Sequence, residues 1–190
     1  MNSDNLLILV KHSLPDIVQN IPAHAWELSD EGRKLVEKLA ERLKQYQPEI
    51  IASSVEPKAR ETAELLCKSL GVDIVVLDGL HEHERNGVPF YPKREFQSLM
   101  RLLFEKPDVL VFGNESATQA LMRFRESVDL VMNLYDDKRM AIVSHGTVIS
   151  LFVSLLTGVD GYQLWSDLGL PSFVVLDLKN KKLLETVNIF

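Results

Sequence analysis

The chain has 190 residues, 46% of them apolar and 25% charged, with a formal net charge of −6. That length buries one substantial core and is short for two, so a single domain over residues 1–190 is expected. With no dominant basic face, the balance excludes a general nucleic-acid or membrane-surface binder and confines any anion site to a local cluster.

The opening MNSDN lacks the basic segment of a signal peptide, and the apolar run after it is too short to cross a bilayer, so a cytoplasmic protein is expected. That run, LLILVKHS from Leu6 to Ser13, reads as a buried strand that delivers Lys11 and His12 to its C-terminal tip. Ligand sites of open α/β sheets lie at such tips. Ser13 to Glu27 holds two prolines and no sustained periodicity, and predicts a loop over the strand ends. Ser29 offers an N-cap to a helix with Leu35, Val36, Leu39, Ala40 and Leu43 inward, ending before Pro48. Glu49 to Ala52 predicts a short strand leading to Ser53 and Ser54.

Pro57 opens a second helix with Ala59, Ala63, Leu66 and Leu70 on its core face and Gly71 as its stop. Cys67, the one cysteine, sits among them as a small core side chain; a disulfide framework and a thiolate zinc cluster are both excluded. Lys58 and Arg60 fall in the first turn, where the helix dipole disfavours cations. Either an anion is held there, or Glu56, Glu61 and Glu64 neutralise them as surface pairs.

Asp73 to Leu77 predicts a strand, and Asp78 to Pro92 an irregular, charge-rich segment. Its His81, Glu82, His83 and Glu84 admit a metal reading, which ranks below an acid/base role for one carboxylate, since an extended chain puts the two residue types on opposite sides. Lys93 to Glu105 is predicted helical and Pro107 to Asn114 a turn or short strand plus loop. Ser116 caps a long helix with Ala117, Leu121, Phe124, Val128 and Val131 buried and Arg123 and Arg125 facing water. A strand from Met140 ends in His145, Gly146 and Thr147, and the following helix turns Val148, Leu151, Phe152 and Leu155 inward before Gly158. Ser172 to Leu178 and Leu183 to Ile189 predict an antiparallel hairpin whose outer edge could pair two copies of the chain as a homodimer.

Strands alternating with helices imply a three-layer α/β/α sandwich with a mostly parallel sheet and an antiparallel C-terminal strand. Its C-terminal edge gathers Lys11, His12, Ser54, Arg60, Glu82 and His145. Cations and hydroxyls with one carboxylate suit a phosphate dianion: Arg60 as a planar fork, Lys11 as a point charge, and the amides after His145, from Gly146 on, as helix-start donors. No Walker loop or Rossmann glycine fingerprint follows the first strand, so no nucleotide cofactor is expected.

These motifs carry a resemblance to the histidine phosphatase superfamily, the phosphoglycerate-mutase-like fold, along nearly the whole chain. LLILVKHS resembles the family's opening strand with its R-H-G signature, LSDEGRKLVEKLAERL its first helix, and SSVEPKARETAELL its S-S-x-x-x-R-A-x-Q-T-A segment, with the arginine taken as Arg60. Gly113 to Ser116 is similar to the G-x-E-S turn, and AIVSHGTVIS to the strand carrying the second histidine. The resemblance implies His12 as the phosphorylated nucleophile, Arg60 and His145 as phosphoryl-binding groups, and Glu82 of an L-x-E piece as acid and base, with Glu84 in reserve. Lys11 and Ser13 depart from the family's arginine and glycine. The implied activity is metal-independent hydrolysis of a small-molecule or protein phosphomonoester through phosphohistidine. The competing readings are a non-catalytic binder of phosphorylated ligands and, lower, a phosphomutase.

Overall fold

The computed structural model describes residues 6–190. The MNSDN opening, on which the expectation about a leader rested, lies outside the described residues. The six strands are β1 (Leu6–Lys11), β2 (Ile50–Ser54), β3 (Asp73–Leu77), β4 (Met140–Ser144), β5 (Ser172–Asp177) and β6 (Lys182–Asn188), in sheet order β3-β2-β4-β1-β5-β6. β1, β2, β3 and β4 pair in parallel; β5 runs antiparallel to β1 and closes a hairpin with β6. The sandwich expected from the alternation of elements is what forms.

Among the described residues six α-helices cover the sheet: α1 (Asp30–Leu43), α2 (Pro57–Leu70), α3 (Lys93–Glu105), α4 (Ala117–Leu134), α5 (Gly146–Thr157) and α6 (Gly161–Asp167). The period-2 alternation of β1 explains the layers. Ile8 and Val10 pack with Val36, Leu39, Ala63 and Leu66 of α1 and α2, whereas Leu7 and Leu9 pack with Phe124, Val128, Val148 and Phe152 of α4 and α5. On the inner strands β2 and β4 every side chain is buried, and on β1 all but the two ends, whichever way it faces, which is why β1 and β4 read as apolar runs almost to their tips.

Local signals place most boundaries. Ser29 accepts the Gly32 amide at 3.0 Å, Ser116 and Gln119 form a complete capping box, and Gly71 ends α2 at φ 72°. Residues 107–114 take the turn alternative of the sequence reading. Leu155, expected inward, is exposed, because Val148, Ile149, Phe152 and Val153 already fill the buried face of α5. The short helix α6 has no counterpart in the sequence reading.

Candidate active site

β1 and β4 are parallel neighbours with Lys11 opposite Ser144, so the next residues, His12 and His145, leave the sheet side by side. Their rings meet edge to face with centroids 5.2 Å apart. His12 lines a cavity of about 470 Å³ together with Lys11, Glu56, Lys58, Glu82 and Gly146; His145 is fully buried beneath it.

The protonation of His12 follows from its neighbours. Nδ1 lies 2.7 Å from the Ser13 carbonyl, which can only accept, so Nδ1 carries the proton and Nε2 the lone pair. Burial, and then the neighbouring His145 and Lys58, push its pKa well below the ordinary histidine value. At neutral pH it is an uncharged imidazole. His145 is held neutral in the same way, by burial first and Lys58 second. Its Nε2 sits 2.9 Å from Ser54 Oγ, and that hydroxyl accepts the Glu56 amide at 3.2 Å. Ser54 Oγ donating to Nε2 is the arrangement that leaves Nδ1 as an N–H, and Nδ1 is buried without a partner among the described residues.

Lys11 and Lys58 supply the nearby positive charge. Lys58 is buried, donating to Glu56 and to the Ala23 carbonyl. Lys11 donates to the Leu168 carbonyl at 2.7 Å, and burial lowers its pKa to about 8 against the pull of Glu82. Gly146, at the start of α5, lets this chain pass, since a Cβ there would lie 3.1 Å from Lys11 Cε.

Arg60 requires a correction. Its side chain is exposed on α2, bound to Glu64 at 2.8 Å, and lines no part of the cavity. Counting S-S-x-x-x-R-A from Ser53 puts the family's arginine at position 58, where this chain has Lys58 followed by Ala59, Thr62 and Ala63. Of the two readings for these cations, the surface pair holds for Arg60, while Lys58 faces the histidines. Ser13 is also turned away: its hydroxyl donates to the Gly32 carbonyl and its amide to Thr62 Oγ1.

Opposite the lysines, the segment after β3 brings in Glu82. Its carboxylate accepts the Thr147 amide at 3.2 Å and the His83 amide at 2.8 Å. Burial favours the neutral acid, but Arg85, then His145 and the His83 amide, outweigh it and hold the pKa down to about 2. Arg85 reaches Thr147 Oγ1 at 2.9 Å and lies over the rings of Phe96 and Phe112. Buried His83 points Nε2 at the Glu115 carbonyl and Nδ1 at Arg85 Nε, 3.4 Å away, which fixes the face of the guanidinium. Glu84 and His81 line the same cavity and face each other, His81 Nε2 lying 3.3 Å from Glu84 Oε1.

Arg123, expected in water, instead clamps this segment. It donates to the carbonyls of Gly79, His81 and Glu82 and pairs with Glu115 at 2.6 Å. Glu56, Arg85 and Arg123 were not singled out as site residues by sequence. Their signal was limited to the charge density of Asp78 to Pro92 and to the G-x-E-S turn that carries Glu115.

A sequence model of the histidine phosphatase superfamily (branch 1) matches residues 10–189, and the chain belongs to that superfamily. It is 25% identical over 133 residues, 70% of this chain and 66% of the relative, to the uncharacterized phosphatase PhoE of Bacillus subtilis. It is also 25% identical over 140 residues to a probable phosphoglycerate mutase of Photorhabdus laumondii, covering 65% of that relative. The chain thus spans just under two thirds of these curated relatives. Among solved structures, a mycobacterial glucosyl-3-phosphoglycerate phosphatase in complex with inorganic phosphate has the same fold, with TM-score 0.73, 23% identity and coverage of 90% of this chain and 89% of that one. An Entamoeba histolytica phosphoserine phosphatase aligns with TM-score 0.72 and 17% identity, covering 97% of this chain and 95% of that one.

Proposed function

We propose that the protein is a phosphomonoesterase that works through a phosphohistidine on His12. The observation that carries this reading is the neutral His12 with Nδ1 protonated by its bond to Ser13 and Nε2 unoccupied, beside buried His145 and two lysines. In the first step the Nε2 lone pair attacks phosphorus and the ester P–O bond breaks; the departing oxygen takes a proton from Glu82. In the second, water attacks phosphorus, the N–P bond breaks, and Glu82 takes the water's proton. Lys11, Lys58 and the Nδ1–H of His145 stabilise the phosphoryl oxygens as charge shifts onto them, without a metal ion.

Glu82 is ionised in the unliganded site, so its proton must arrive with the substrate. A phosphomonoester has a second pKa of about 6, and its monoanion delivers that proton as the phosphoryl charge raises the proton affinity of Glu82. The cavity walls of Trp26, Phe96, Trp165 and Leu170 favour an organic leaving group. Of the aromatic residues in the loops, only Trp26 is among them; Phe90 and Tyr91 are not.

The test is turnover of an aryl phosphate in the presence of a chelator, with alkaline-quench trapping of a base-stable, acid-labile phosphoenzyme. Wild type should turn over and label; His12→Ala should do neither, and undiminished turnover in that variant defeats the reading. A second reading draws on lysines at both positions where the family has arginine: a binder of phosphorylated ligands without catalysis. It predicts saturable phosphate binding and no phosphoenzyme.

A further inference from the structure

We propose that Glu56 is a resident counter-ion that sets how weakly this cavity holds phosphate, an inference that rests on reading the cavity as a phosphoryl site. Glu56 is the N-cap of α2, where an acidic side chain ordinarily accepts amides of its own helix; it makes no such bond. Its carboxylate turns into the cavity instead and is 7% exposed. One oxygen binds the Lys58 ammonium; the other accepts the Glu82 amide at 2.8 Å and lies 3.6 Å from His145 Nε2.

A single carboxylate therefore joins the cation, the acid and the second histidine, which come from three separate turns. It also opposes the ligand. The phosphoryl group must bind an ammonium that already serves an anion, and it brings its own negative charge next to that anion in a poorly screened wall. Lys58 keeps a donor free after binding Glu56 and Ala23, so the contact is available, but its net attraction is reduced. A pocket of this kind releases inorganic phosphate readily.

The probe is inorganic phosphate, titrated calorimetrically into wild type, Glu56→Gln, Glu56→Ala and Glu56→Asp, with orthovanadate inhibition as a second measure. Removing the charge should tighten both anions by about tenfold or more, and Glu56→Asp should stay within about threefold of wild type. In the glutamine variant KM for an aryl phosphate should fall together with kcat, as product leaves more slowly. A merely structural carboxylate would loosen anion binding or leave it alone, and folded Gln and Ala variants that do either overturn the inference. Lys58→Ala separates the two levels. If it abolishes phosphate binding while Glu56→Gln fails to tighten it, only the counter-ion role falls. If wild type binds no phosphate, or binds it no better than Lys58→Ala, the reading of the cavity falls with it.

Discussion

At the residue scale, two positions on one helix separate a buried cation from a surface one. A step of two residues turns about 200° around an α-helix, so Lys58 and Arg60 cannot share a face. Lys58→Ala should lower kcat/KM by about a hundredfold, the usual cost of losing a charged donor to a phosphoryl oxygen, and Arg60→Ala by less than about twofold. Steady-state kinetics on an aryl phosphate checks both. Lys11 gives the alkaline limb. With its pKa lowered to about 8 by burial, it loses its charge as pH rises through that value, so phosphate affinity should fall above pH 8. Lys11→Arg keeps the charge and should move that limb upward in the pH profile of kcat/KM. His12, His145 and Glu82 were legible because each follows a strand or sits in a short motif. Glu56, Arg85 and Arg123 were not, since a polar contact across the fold leaves no period in the sequence and depends on neighbours that only the tertiary structure brings near.

At the element scale, the start of α1 braces the turn that follows His12. The Leu14 carbonyl accepts both the amide and the hydroxyl of Ser29, and Ser13 Oγ donates to Gly32 O at 2.7 Å. This close approach needs glycine, because a Cβ on Gly32 would stand 2.1 Å from Leu14 O. Gly32→Ala should cost about 2 kcal/mol in urea unfolding and lower kcat more than KM, as the His12 backbone shifts. Capped, strongly amphipathic helices such as α1, α2 and α4 were visible in outline from their stripes and stop signals. The seven-residue α6 is too short to show a stripe, and on the nearly all-apolar α5 periodicity does not say which leucine faces out.

At the scale of the whole molecule, the site weighs on acid stability. Both histidines have folded pKa values below the ordinary value of 6.5, so the unfolded chain binds more protons as pH falls past it. Stability is therefore fully present above pH 6.5 and declines below it. Glu82, held at about 2 against an ordinary 4.5, adds a further loss between those values. Thermal melts should show a level Tm between about pH 6.5 and 8 and a fall below pH 6.5, with a shallower fall in His12→Asn; an equal slope in the two proteins would rule out His12 as a source.

The strand order carries a consequence for biosynthesis. β1 is flanked by β4 on one side and β5 on the other, both from the last third of the chain. Of these six strands β1 is made first, and it waits, unpaired and apolar, until β4 and β5 have been translated. The cleft that sets His12 beside His145 therefore cannot close around the two rings before β4 is in place.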